Sequence, residues 1–226
     1  MPFDDHRFAG FGADATAFFA GLEADNSKAY FDARRDMYER AIRAPLEHLV
    51  EEARGQYGTY AKVFRANRDL RFSADKRPYR TDAVGGVADE RTRVISYVRL
   101  DRDGLVAGAG WLHPDREQLM RARAVIAGDA AAARELQAAL DGLAASGFAC
   151  DGDPLRTAPK GYPRDHPAVG LLRRRRFTAE RRFTSPDDLA DPARARDAVF
   201  GSWDAARPLT RWLASRASGA PATLGD

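Results

Sequence analysis

The side chains best suited to chemistry lie between residues 62 and 80, which read Lys-Val-Phe-Arg-Ala-Asn-Arg-Asp-Leu-Arg-Phe-Ser-Ala-Asp-Lys-Arg-Pro-Tyr-Arg. Arg65, Arg68 and Arg71 fall three residues apart, and Lys76 and Tyr79 follow in the same stretch. Arginine offers a planar fork of donors that matches phosphate or carboxylate, and lysine adds a point charge. Residues 65–80 hold six cations against two carboxylates, so four cations lack a local partner. Asp69 and Asp75 can orient those cations or accept a proton. On a helix the three arginines would form one ridge, whereas on a strand Arg68 would face away from the other two. Pro78 and the lack of an apolar helical stripe favour an extended or irregular segment. The plainer reading of the same residues is a structural network, with Asp69 and Asp75 holding the arginines against helix ends and strand edges.

A second cluster reads Lys160-Gly-Tyr-Pro-Arg164-Asp165-His166-Pro167. Lys160 and Arg164 could approach the same anion. Asp165 and His166 are adjacent, so their side chains diverge on an extended backbone and form no ready dyad. His166 would serve as a general base only if another carboxylate, such as Asp69 or Asp75, met it in space. Asp165 is expected to cap a helix starting at Pro167. The four histidines, at 6, 48, 113 and 166, have no metal-ligand spacing, and no metal site is expected. Ser73 and Cys150 have no nameable base, so neither reads as a nucleophile. Gly108-Ala-Gly110 lacks the third glycine and the following helix of a dinucleotide loop; a closely packed helix or ligand explains its small residues better. The cofactor, if the chain uses one, is unknown from the sequence. Downstream, Arg173-Arg-Arg-Arg-Phe177 and Arg181-Arg182-Phe183 mix basic and aromatic residues as nucleic-acid surfaces do. On a strand, Arg174, Arg176 and Arg182 would share a face; the alternative is an edge strand guarded by charge.

Charge is unevenly placed. The chain of 226 residues carries 36 Lys+Arg against 33 Asp+Glu, and only four of the 36 are lysine, a bias that GC-rich coding would produce. Residues 65–80 have a net charge of +4 and residues 156–182 of +7, which leaves the remainder at −8. Two cationic segments on an acidic background suit an anionic ligand better than a protein that coats nucleic acid. The 44% hydrophobic content excludes wholesale disorder. No run of 18 apolar residues suggests a membrane span, and residues 1–7 do not read as a secretory signal, so a cytoplasmic location without a membrane partner is expected. A lone Cys150 makes no internal disulfide.

The elements that must position these residues can be read from periodicity and caps. Phe11, Ala15, Phe18, Phe19 and Leu22 mark a first helix with Asp14 as its cap, and Asn26-Ser27 opens a second. Pro45 should kink or restart the helix that continues through Leu46, Leu49, Val50 and Ala53. Residues 94–100 and 105–111 read as a hairpin about the Asp101–Gly104 turn. Asp115 and Asp129 start two further helices. Residues 177–183 form a strand, and Pro192 and Pro208 begin the last helices. The expected architecture is α+β: a single domain over residues 1–217, mainly an antiparallel sheet with helices from both ends of the chain packed against it, and a flexible tail at 218–226.

The pattern R-x-x-R-D-x-R-F-x-x-[DN]-K-x-x-Y is met at Arg65, Arg68, Asp69, Arg71, Phe72, Asp75, Lys76 and Tyr79. In this motif the chain resembles the DUF2461 family. The resemblance extends to Phe8-Ala-Gly-Phe11, Asn26-Ser-Lys28, Gly108-Ala-Gly110 and Pro159-Lys-Gly-Tyr-Pro-Arg-Asp-His-Pro167 before Leu171-Leu172-Arg173. It departs at Arg174-Arg175-Arg176, where such proteins tend to carry Lys-Ser. The resemblance implies a shared fold and a shared site, and no particular activity.

Three readings follow. In the first, Arg65, Arg68, Arg71 and Lys76, joined by Lys160 and Arg164, bind a phosphorylated or otherwise anionic small molecule. Asp69, Tyr79 and His166 are then the groups nearest any chemistry. In the second, the same arginines bind nucleic acid on an open face. In the third, the arginine–aspartate motif is scaffold and function lies in protein contacts. Oligomeric state is not legible.

Overall fold

A computed structural model describes residues 8–68, 71 and 75–217. Its centre is the hairpin of β3 (Ile95–Asp101) and β4 (Gly104–Trp111). At the turn Gly104 adopts a φ of +116°, and a Cβ there would run into the Phe183 carbonyl. With β1 (Tyr60–Val63), β2 (Asp82–Ala88) and β5 (Phe177–Phe183) these strands form an open antiparallel sheet in the order β1-β2-β3-β4-β5. Helices precede and follow the strands, and the fold is α+β. The hairpin and the 177–183 strand agree with the sequence reading. β1 and β2 are additional to it.

Packing gathers the chain into two units. The first takes in Met1–Val87, Tyr97–Ala107 and Arg182–Gly201; the second takes in Ala88–Ser96, Gly108–Arg181 and Ser202–Asp226. In the first unit, α1 (Ala13–Ala24) buries Ala15, Phe18, Phe19 and Leu22. Gly12 is its N-cap, which moves Asp14 from the expected cap into the first turn. Ser27 does cap α2 (Lys28–Ala33), its Oγ accepting the Tyr30 N–H at 3.1 Å. The short α3 (Arg35–Tyr38) runs through a π-helical turn (Glu39–Arg43) into α4 (Ala44–Ala53), with Pro45 in the first turn, where its missing N–H leaves no bond unmade. Phe18 sits among the rings of Phe19, Tyr30, Phe31 and Tyr38, all within 5.9 Å of its centroid. Burial in this cluster pushes the Tyr38 phenol up to about 12. α8 (Pro186–Ala190) also belongs to this unit, as do residues 192–201 of α9 (Pro192–Ala205).

The second unit contains α5 (Arg116–Gly128), α6 (Ala130–Ala145), α7 (Val169–Leu172), α10 (Arg207–Trp212) and a final π-helical turn (Leu213–Ala217). Asp115 and Gln118 form a reciprocal capping box, and Asp129 Oδ1 accepts the Ala131 and Ala132 amides at 2.9 Å. The Trp212 indole donates to the Ala132 carbonyl at 2.9 Å, which satisfies the one polar atom of a buried ring. Gly110 has a φ of +128°, and a Cβ there would collide with the Phe177 carbonyl. The close approach at Gly110 is therefore by the neighbouring strand's backbone, in place of the expected helix or ligand. Among the described residues no helix is long and apolar enough to cross a membrane. The tail expected at 218–226 lies outside the described residues.

Candidate functional site

The cationic motif is carried on the connection between β1 and β2, and strand-like pairing continues past the strands themselves. The Phe64 N–H donates to Val84 O at 2.8 Å, Arg80 N–H to Ala66 O at 2.8 Å and Arg68 N–H to Pro78 O at 2.9 Å, with an antiparallel bridge between Asn67 and Tyr79. Pro78 has no N–H to offer, so its carbonyl makes that bond alone. The segment is thus extended, as its proline suggests, and forms the narrowing arms of a hairpin.

Asn26 secures the base of this hairpin. Its Oδ1 accepts the Tyr79 N–H at 2.9 Å and its Nδ2 donates to the Tyr79 carbonyl at 3.1 Å. A primary amide carries one acceptor and one donor side by side, so it reproduces the pairing of a strand neighbour. Beneath it the Tyr79 ring stacks on Phe31 with centroids 4.2 Å apart and planes 5° from parallel. Tyr79 is buried as a result, only 6% exposed. The sequence gives Asn26 the look of a helix cap. Its partner is 53 residues away, and no local signal reveals it.

Asp75 organises the cations that follow. Arg68 Nη1 lies 2.5 Å from Asp75 Oδ2, Arg77 Nη2 donates to the same oxygen at 2.8 Å, and the Arg77 amide donates to Oδ1 at 3.0 Å. Hydrogen bonds from Arg77 first and Arg68 second hold the Asp75 carboxyl well below the usual carboxylate range. It is therefore an acceptor that orients guanidiniums, and the proton-accepting role also considered for it does not suit it. Arg80 pairs with Asp82 at 2.8 Å. Arg65, Arg71 and Lys76 are exposed. Among the described residues no carboxylate pairs with Arg65. Arg34 lies 4.2 Å over the Tyr30 ring and Arg35 5.4 Å over Phe31, so two more cations flank the aromatic base. Asp69 and Ser73 lie outside the described residues.

Arg65, Arg68, Arg71, Lys76 and Tyr79 all belong to this segment of the first unit, whereas Lys160, Arg164 and His166 belong to the second. Lys160, Arg164 and Asp165 are exposed on turns. Asp165 does not cap the helix: α7 begins at Val169 with no side-chain cap, and the Ala168 N–H donates to His166 Nδ1 at 3.0 Å instead. The basic run has also been assigned differently from the sequence expectation. Arg173 Nε donates to Leu155 O at 2.5 Å, Arg174 to Cys150 O at 2.6 Å, Arg175 to Asp153 O and Oδ1 at 2.9 and 2.6 Å, and Arg176 to Asp151 Oδ2 at 2.9 Å. Arg174 and Arg176 precede β5, and Arg182 forks onto Asp101 with two bonds of 2.8 Å, so the three share no strand face.

Cys150 contacts the Leu140 carbonyl through Sγ at 3.7 Å, and burial pushes its thiol up, the reverse of an activated nucleophile. Among the described residues no group of three His, Cys, Asp or Glu side chains is placed to hold a metal ion. Exposed Tyr60 and Phe64 flank Lys62 on β1; they carry no motif, and only their alternation in a strand the sequence hides would have exposed them.

These features define an α+β protein whose first sheet hairpin ends in an arginine-rich loop. The chain matches the family model DUF2461, described as a conserved hypothetical protein, over residues 14–212, and it belongs to that family. No curated protein and no solved structure matches it.

Proposed function

We propose that the loop between β1 and β2 binds a phosphorylated or otherwise anionic small molecule. The observation that carries this reading is the sharing of Asp75: one carboxylate holds both Arg68 and Arg77 in place on a segment that also carries exposed Arg65, which has no carboxylate partner among the described residues. Asp75 fixes the Arg68 fork, and a pre-oriented fork loses less freedom on meeting an anion. The Asn26–Tyr79 clamp and the Phe31 stack anchor the arms that carry it. Asp69 and Tyr79 are the groups of this segment to test for chemistry.

The test is a thermal-shift series with inorganic phosphate, pyrophosphate, nucleotides, sugar phosphates and short oligonucleotides at two salt concentrations. A ligand at a hundred times its Kd adds about 2.7 kcal/mol, or about 5–10 °C for a chain this long. The reading requires a shift with a small anion that persists at the higher salt and is lost in both Arg65→Ala and Arg68→Ala. If all these ligands leave the midpoint unchanged, the reading fails and the motif is scaffold.

A second reading has one specific support. Tyr60 and Phe64, 47% and 39% exposed, stand on the same side of edge strand β1 with Lys62 between them, its Nζ 5.3 Å from the Phe64 centroid. Alternating aromatics and cations suit stacked bases of single-stranded nucleic acid. That reading requires a shift with oligonucleotides alone, abolished at high salt by counterion competition and by Phe64→Ala.

A further inference from the structure

In the second unit, the end of α5, the first turns of α6 and the His166–Leu171 segment wall a cleft of about 400 Å³, within the range of about 300–1,000 Å³ usual for small-molecule sites. Its lining is mainly apolar, from Ile126, Ala130, Ala133, Pro167 and Leu171. Polar groups enter from His166, Arg134 and Gln137.

We infer that this cleft binds a small carboxylic acid with an apolar tail, such as a medium-chain alkanoate. The argument starts from the tautomer of His166. Because Nδ1 accepts the Ala168 N–H at 3.0 Å, the ring proton sits on Nε2, and the free edge of the imidazole is a donor. Arg134 is exposed, and among the described residues no carboxylate lies within ion-pair distance of it. Nearby carboxylates are already engaged: Asp129 Oδ1 caps α6, and Asp141 accepts from Gln137 Nε2 at 2.8 Å. The lining thus offers a guanidinium and an imidazole N–H, both donors, and no carboxylate.

An anion suits that rim, and the apolar remainder selects its body. A phosphate would make no use of the apolar lining and would bring a second negative charge to one guanidinium. A monocarboxylate places one charge at Arg134 and His166 and its hydrocarbon over the apolar wall, where each buried methylene adds affinity. This also gives His166 a role separate from the hairpin loop, so the site stands or falls independently of the anion reading above.

The probe is sodium octanoate titrated calorimetrically into the full chain, with 1-octanol and inorganic phosphate as comparators. Octanoate is expected to bind at least about tenfold more tightly than octanol, the difference one charge-assisted hydrogen bond supplies. Arg134→Gln removes that preference and leaves octanol binding unchanged. Ala130→Trp, at an exposed helix position that tolerates bulk, fills the cleft and abolishes binding of both. Arg68→Ala leaves octanoate binding intact, which separates this site from the hairpin loop. Equal affinity for octanoate and octanol, an unchanged preference in Arg134→Gln, undiminished binding in Ala130→Trp, or no octanoate binding would each overturn the inference.

Discussion

The Asn26 clamp is the contact on which the geometry of the cationic hairpin most depends, and its removal has a calculable effect. Asn26→Ala deletes two hydrogen bonds to the Tyr79 backbone, at 2.9 and 3.1 Å, on a residue only 6% exposed. Each such bond contributes about 0.5–1.5 kcal/mol net, and water reaches the abandoned groups poorly, so the expected loss is about 2 kcal/mol. For a chain of this length that lowers the melting midpoint by about 4–8 °C. Urea unfolding of wild type and variant, with equal m-values, measures the difference directly. Asn26→Asp adds a second check. The carboxylate still accepts the Tyr79 N–H but turns its other oxygen toward the Tyr79 carbonyl, acceptor against acceptor. Its penalty relative to wild type should equal or exceed that of alanine at neutral pH and shrink as pH falls toward about 4, because the repelled carboxylate takes up its proton more readily folded than unfolded and the protonated acid can donate. A loss under 0.5 kcal/mol in Asn26→Ala, or an Asn26→Asp penalty that does not change with pH, would refute the clamp.

Three further outcomes follow from particular contacts. Gly110→Ala combines a φ of +128° with a Cβ driven into the Phe177 carbonyl. Backbone strain of about 1–2 kcal/mol and overpacking of about 1–3 kcal/mol should lower the unfolding free energy by about 2–5 kcal/mol in a urea titration, and a near-neutral variant would contradict the strand register. Burial pushes the Asp101 carboxyl up, but the Arg182 fork and the Asp103 amide pull harder and leave it below its ordinary value. Its contribution is therefore complete above the unfolded value of about 3.9 and lost as pH falls through the lower folded value. Asp101→Asn should accordingly be less stable than wild type at pH 7, with the gap closing in acid, whereas a gap that widens in acid would reverse the sign. Cys150, with its thiol pushed up by burial, should react with iodoacetamide at pH 7.5 more slowly than free cysteine, and faster reaction would mean an open or activated thiol.

Local chemistry made much of the fold legible. Ser27, Asp115 and Asp129 cap because their short side chains reach amides two or three residues on, and the β3–β4 hairpin announces itself through alternation and an Asp-Gly turn. β1 and β2 fail to announce themselves for equally physical reasons. Tyr60–Val63 is four residues long, and Asp82–Ala88 carries Gly85 and Gly86 where a β-branched signature would be looked for. Gly85 packs closely, since a Cβ there would press Val50 and Val63 at 3.1 and 3.2 Å. Strand character there comes from packing and pairing, neither of which is a property of the segment alone. The hidden role of Asn26 has the same origin, since its partner is set by tertiary structure. Asp14 and Asp165 show the converse: each has a capping side chain one or more positions from a helix start, and the backbone supplies the start elsewhere.

The two basic segments look alike in sequence, and the structure treats them differently. Four successive arginines, Arg173 to Arg176, meet carbonyls and carboxylates of residues 150–155, so each guanidinium has an acceptor within its own unit. Burial even pulls the Arg174 guanidinium below its ordinary value, which a ligand-facing arginine in water would not show. In the hairpin, Asp75 orients both Arg68 and Arg77, and Arg65 is exposed with no carboxylate partner among the described residues. Cation density along a chain therefore does not identify scaffold; the acceptors that folding brings to each guanidinium do. By that measure the run preceding β5 is reserved for holding a loop. Removing Arg175 and Arg176 should consequently loosen the 151–153 loop without weakening an anion bound at the hairpin.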